Sequence, residues 1–118
     1  MSPVAGKRVL LAEDEFLIAL AAADALRALG ADVVGPAFSL AEAITLVEHE
    51  RLDGAVLDVN LAGEDSRAVA DRLAAQGVSF VLASGYDRID NPYAVPVVAK
   101  PYDLGMLAAA LRRAFDRT

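Results

Sequence analysis

Gly54-Ala55-Val56-Leu57-Asp58-Val59-Asn60-Leu61 is a short apolar run with one carboxylate set into it. Ala55, Val56, Leu57 and Val59 are continuous rather than alternating, which is the pattern of a strand buried on both faces. An ionised aspartate at the end of such a strand is costly unless partners offset its charge. Reading outward, three further apolar runs end in candidate partners: Glu13-Asp14-Glu15 after one, Ser84 after another and Lys100 after a third. Four strands are therefore expected to end in polar groups at one edge.

The flanking segments fit that plan. Val9 to Ala12 predicts a buried strand, and a helix is expected from the acidic cluster to about Leu29, with Gly30 as its C-cap. Ile18, Ala21, Ala22, Ala25, Leu26 and Leu29 share one stripe at helical spacing and should face the sheet. Phe16 and Leu20 lie off that stripe, four residues apart, either as padding of the helix edge or as a partner patch. Asp32 to Pro36 predicts a short second strand. Ser39 and Glu42 form a capping-box signature for a helix to about His49, packed through Leu40, Ala43, Ile44 and Val47. His49 reads as a surface residue near a helix C-terminus, without a role.

The central strand should end at Val59, residues 60–65 should be loop, and Ser66 should cap a third helix to about Gln76. Val78 to Ala83 predicts the fourth strand. From Arg88 to Val95 the prolines leave room for a turn or two of helix at most. Pro96 to Ala99 predicts the fifth strand. Asp103 should cap a last helix with Leu104, Leu107, Leu111 and Phe115 on one stripe, and Arg112, Arg113 and Arg117 on a solvated face.

Composition bounds the chemistry. A chain of 118 residues is expected to be one domain, residues 1–118, and at 56% hydrophobic it leaves little room for a disordered tail. The net charge of −6 argues against a protein that binds nucleic acid by neutralising phosphates. With no Cys and one His, disulfides, thiolate chemistry and a protein zinc site fall away. No apolar run reaches the roughly 20 residues needed to span a bilayer, so a cytoplasmic protein without a membrane partner is expected.

Alternating strands and helices imply an α/β fold with a parallel sheet covered on both faces. Ligands of such sheets gather at the carboxyl ends of the strands, where every candidate group falls. Clustered carboxylates call for a cation, and with oxygen ligands only the match is Mg²⁺ or a similar hard divalent ion. A carboxylate can also be a nucleophile that accepts a phosphoryl group as an acyl phosphate. The charge of the transferring oxygens is then offset by a divalent ion and a lysine ammonium, with a hydroxyl nearby. Asp58, Asp14, Glu13, Ser84 and Lys100 cover these roles one each.

With these residues in place, the whole chain resembles a response-regulator receiver domain of two-component signalling. The motif set is Glu13-Asp14 as the acidic pair, Asp58 as phosphoacceptor, Ser84 as the hydroxyl, and Lys100-Pro101. The resemblance implies a doubly wound five-stranded sheet of order 2-1-3-4-5 and a cis peptide between Lys100 and Pro101. It implies Mg²⁺ held by Asp14, Asp58 and the backbone carbonyl of Asn60, with Glu13 acting largely through water. It implies a histidine kinase or histidine phosphotransfer protein as phosphoryl donor.

The chain departs from the family pattern in two places. Val97 stands where receivers usually carry a switch Tyr or Phe, and the segment from Ser84 to Lys100 is short, so the fourth helix should be stunted or missing. Phe80-Val81-Leu82-Ala83-Ser84-Gly85-Tyr86 is similar to the FATGUY group of stand-alone receivers, and Tyr86 is expected either to replace the switch aromatic or to be a turn residue. With no DNA-binding or catalytic domain after Arg117-Thr118, signalling through a protein partner is expected, with Phe16 and Leu20 in the kinase-facing patch.

Two rival readings have their own tests. A small phosphatase with an Asp nucleophile needs a second acid two residues on, where this chain has Asn60. A flavodoxin-like flavin binder needs a Ser/Thr/Gly-rich phosphate loop after the first strand, where this chain has acids.

Overall fold

The computed structural model of the chain describes residues 2–85 and 89–116. Tyr86 and Arg117 lie outside them.

Five strands form one parallel sheet: β1 (Arg8–Ala12), β2 (Asp32–Ala37), β3 (Gly54–Asp58), β4 (Ser79–Ser84) and β5 (Val97–Ala99). Their order is 2-1-3-4-5, the order the resemblance implies. Among the described residues four helices cover the sheet: α1 (Phe16–Ala28), α2 (Leu40–His49), α3 (Arg67–Ala75) and α4 (Leu104–Phe115). Both faces of the sheet are packed, which is why the strands read as continuous apolar runs. Val9, Leu11, Val56, Val81 and Val98 meet Ala22, Leu26, Leu107 and Leu111 on one side. Leu10, Ala55, Leu57, Phe80 and Leu82 meet Ala43, Val47, Val69 and Leu73 on the other. Each fully buried leucine contributes on the order of 2 kcal/mol by its removal from water.

Local signals account for most boundaries. The Ser39 side chain accepts from the Glu42 amide at 3.2 Å, and Asp103 accepts from the Met106 amide at 2.8 Å, so both expected caps are present. Gly54 opens the central strand against Phe115, whose ring would lie 2.6 Å from a Cβ at that position. Strand β2 runs past its Gly-Pro pair to Ala37. Among the described residues no helix lies between β4 and β5, where a stunted or missing one was expected. The 89–95 stretch is instead tied to α3 by an Arg67–Asp90 ion pair at 2.9 Å and a Tyr93–Asp71 hydrogen bond.

Three expectations need correction. Residues 60–65 are not simple loop: Asn60–Leu61 pairs antiparallel with Glu64–Asp65 in a short hairpin. Ser66 is buried and makes no side-chain cap; the Asp65 carboxylate accepts from the Arg67 amide at 2.7 Å in its place. Helix α1 buries Ala22 and Leu26 of the expected stripe, with Ala25 and Leu29 half-buried beside them, but Ala19 and Ala23 complete the inner face and Ala21 is exposed.

Candidate functional site

Parallel register brings the strand ends together. Ala12 pairs with Leu57, so Glu13 and Asp58 each follow by one residue on adjacent strands. Asp58 pairs with Ala83, which puts Ser84 one step beyond, and Ser84 pairs with Ala99, which puts Lys100 one step beyond that. Glu13, Asp14 and Asp58 each present a carboxylate oxygen within 4.8 Å of the others. Asp14 and Asp58 border a cleft of about 400 Å³, lined also by Glu15, Asn60, Gly85 and Lys100.

Lys100 is the hub. Its Nζ donates to Asp58 Oδ2 at 2.7 Å and to Glu15 Oε1 at 3.3 Å. Glu13 Oε1 lies 2.9 Å from the same ammonium, close enough for an ion pair but without hydrogen-bond alignment. The Lys100–Pro101 peptide is cis, as the resemblance implies. The other Glu13 oxygen accepts from the Glu15 amide at 3.0 Å, and Asp58 Oδ1 accepts from the Asn60 amide at 3.1 Å. Asp14 reaches the hairpin, its Oδ2 accepting from the Ala62 amide at 3.0 Å. The tip there is left-handed, with Ala62 at φ 53° and Gly63 at φ 87°. The Asn60 side chain is committed to that turn, accepting from the Gly63 amide at 2.9 Å.

Burial sets the electrostatics. Glu13 is 1% exposed and Asp58 4%, and Ser84 is fully buried at the end of β4. Burial is the main force on Glu13; the Glu15 amide and Lys100 pull the other way and the Asp58 charge adds to it, leaving its pKa raised to about 7. Burial works against the Lys100 ammonium, but the bond to Asp58 and the close negative charge of Glu13 outweigh it and raise the pKa above the ordinary lysine value. Three acids against one lysine, with a buried Glu13 oxygen lacking a hydrogen bond, is a donor set that fits a hard cation.

The structure thus brings Glu13, Asp14, Asp58 and Lys100 into one cluster, with Asn60 on its rim and Ser84 on the adjoining strand. Phe16 and Leu20 stand apart on α1, both exposed, with Leu17 between them; Phe16 packs against Phe38, ring centroids 6.0 Å apart. Glu15 was missed as a contact of Lys100. A third acid directly before a helix carries no signal of which way its side chain turns.

No family model matches the chain. Among solved structures, it is similar to SdrG from Sphingomonas melonis Fr1: 39% identity, TM-score 0.83, covering 97% of this chain and 98% of that one. It is also similar to the receiver domain of the PhyR response regulator of Erythrobacter litoralis, at 25% identity and TM-score 0.84, covering 97% and 93%. The transcriptional regulatory protein PdtaR of Mycobacterium tuberculosis is 30% identical over 94% of this chain, and the chain spans 58% of that relative's length.

Proposed function

The chain belongs to the response-regulator receiver family, and on that premise we propose that residues 1–118 form one receiver domain that accepts a phosphoryl group on Asp58. The observation that carries this reading is a buried Asp58 carboxylate with an ammonium at 2.7 Å and two more acids within 4.8 Å.

The donor is a phosphohistidine on a histidine kinase or histidine phosphotransfer protein. An Asp58 carboxylate oxygen attacks phosphorus as the phosphorus–nitrogen bond breaks, and the electron pair leaves on the imidazole nitrogen, which regains a proton. Glu13, Asp14 and Asp58, with the Asn60 carbonyl, would hold Mg²⁺. When bound, the ion offsets negative charge on the transferring oxygens. Lys100 supplies the second positive charge, and Ser84 a hydroxyl toward the phosphoryl oxygens. The product is an acyl phosphate, formed once per molecule, so the domain is a signalling switch rather than a turnover enzyme.

Output runs through protein contacts, with Phe16 and Leu20 in the kinase-facing patch and Tyr86 as the switch aromatic. No described helix is long and apolar enough to cross a membrane, and the cytoplasm is the proposed location.

The test is labelling by acetyl phosphate and by a phosphorylated kinase, read by intact mass. Asp58→Asn should abolish both; persistent labelling, or many turnovers of a phosphomonoester, would overturn the reading. Serine at both Phe16 and Leu20 should weaken only the kinase reaction, and equal losses would remove the patch.

A further inference from the structure

Lys100 has three N–H bonds to give, and in this structure three carboxylates surround it. Asp58 accepts at 2.7 Å, Glu13 lies at 2.9 Å and Glu15 accepts at 3.3 Å. An arriving phosphoryl group needs that same ammonium and so competes with the carboxylates already around it.

The three are not equivalent. Asp58 and Glu13 are buried, whereas the Glu15 side chain is 61% exposed at the wall of the cleft. Glu13 is pinned from its far side by the Glu15 amide at 3.0 Å. The Glu15 carboxylate has the longest of the three contacts, and water is ready to solvate it on release. It also makes no cap to its own helix, although Glu15 stands at the N-cap position of α1. Among the described residues its carboxylate bonds to Lys100 instead.

We propose that Glu15 is a positioning residue that competes with the phosphoryl group for Lys100. In the resting domain it holds the ammonium toward the cleft; on transfer it is displaced into solvent. This rests on the phosphoacceptor reading of Asp58. It has a consequence that a structural role lacks. A fixed negative charge at the wall of the cleft opposes donors in proportion to their own charge, so Glu15 discriminates between donors.

The experiment compares acetyl phosphate, a dianion near pH 7, with phosphoramidate, largely a monoanion there, each with magnesium. Glu15→Gln should speed labelling by acetyl phosphate about threefold and labelling by phosphoramidate by less than about half that factor, a size suited to one exposed ion pair. Glu15→Lys should widen the gap between donors. High salt should narrow it. The nitrogen NMR resonance of the Lys100 ammonium should move in Glu15→Gln before any donor is added. Equal factors for the two donors, an unchanged rate or an unmoved resonance would each overturn the proposal while leaving the Asp58 assignment standing. Failure of the unaltered protein to label at all would remove that assignment and this inference together.

Discussion

The two ends of the sheet each gather acids around one basic side chain, and they behave oppositely. At the amino end, Arg8 reaches Asp32 at 3.2 Å and Glu50 at 3.4 Å, and its amide donates to Asp53 at 2.8 Å. Arg8 is 27% exposed and Asp32 65%, so water shares the load. The Arg8 amide bond there holds the Asp53 carboxyl below its ordinary range. At the carboxyl end, the side chain of Lys100 is 10% exposed and that of Asp58 6%, and Glu13 is pushed upward instead. Two similar sets of charges thus differ in solvation. The wet set is ordinary surface trim, while the dry set is poised to respond to any new charge.

Three measurements test that contrast, taken from the largest expected effect. Lys100→Met removes the ammonium from two buried carboxylates and should cost the cation-free protein about 3 kcal/mol at pH 8, read by urea denaturation. The cost should shrink near pH 5, where Glu13 takes up a proton. A loss too small to measure would mean the carboxyl end is wetter than its burial indicates.

Next comes pH. The folded pKa of Glu13, about 7, lies above the ordinary 4.5, so the fold favours the proton-bound form. Its contribution to stability is complete below pH 4.5 and is lost as pH rises through 7. Across pH 5.5 to 8 that amounts to about 2 kcal/mol in cation-free protein, and Glu13→Gln should flatten the slope. A slope unchanged by the substitution would assign the pH dependence elsewhere.

The smallest effect belongs to Arg8→Met, below about 1 kcal/mol and fading in high salt. A loss matching that of Lys100→Met would erase the distinction between the two ends.

Much of this was legible from Val9–Ala12, Ala55–Leu57 and Val78–Ala83, because buried parallel strands are written as unbroken apolar runs. Register then carries Glu13, Asp58, Ser84 and Lys100 to one edge without further instruction. What escaped had no local signature. The 60–65 hairpin has only two residues on each side, and its turn places Ala62, rather than Asn or Asp, in a left-handed conformation. Helix α1 is so rich in alanine that Ala19, Ala21 and Ala23 are equally apolar, and packing on the sheet buried the first and last and left Ala21 exposed. Ser66 looked like a cap by type, but Asp65, one residue earlier, reaches the helix amide.

One consequence lies at the rims of the sheet. The outer strand β2 contains Pro36, which has no amide hydrogen, and the opposite outer strand β5 is only three residues long. Neither rim offers a long ladder of open backbone groups to a newcomer. Self-association by strand addition, the route toward cross-β aggregates, is therefore blunted on both flanks.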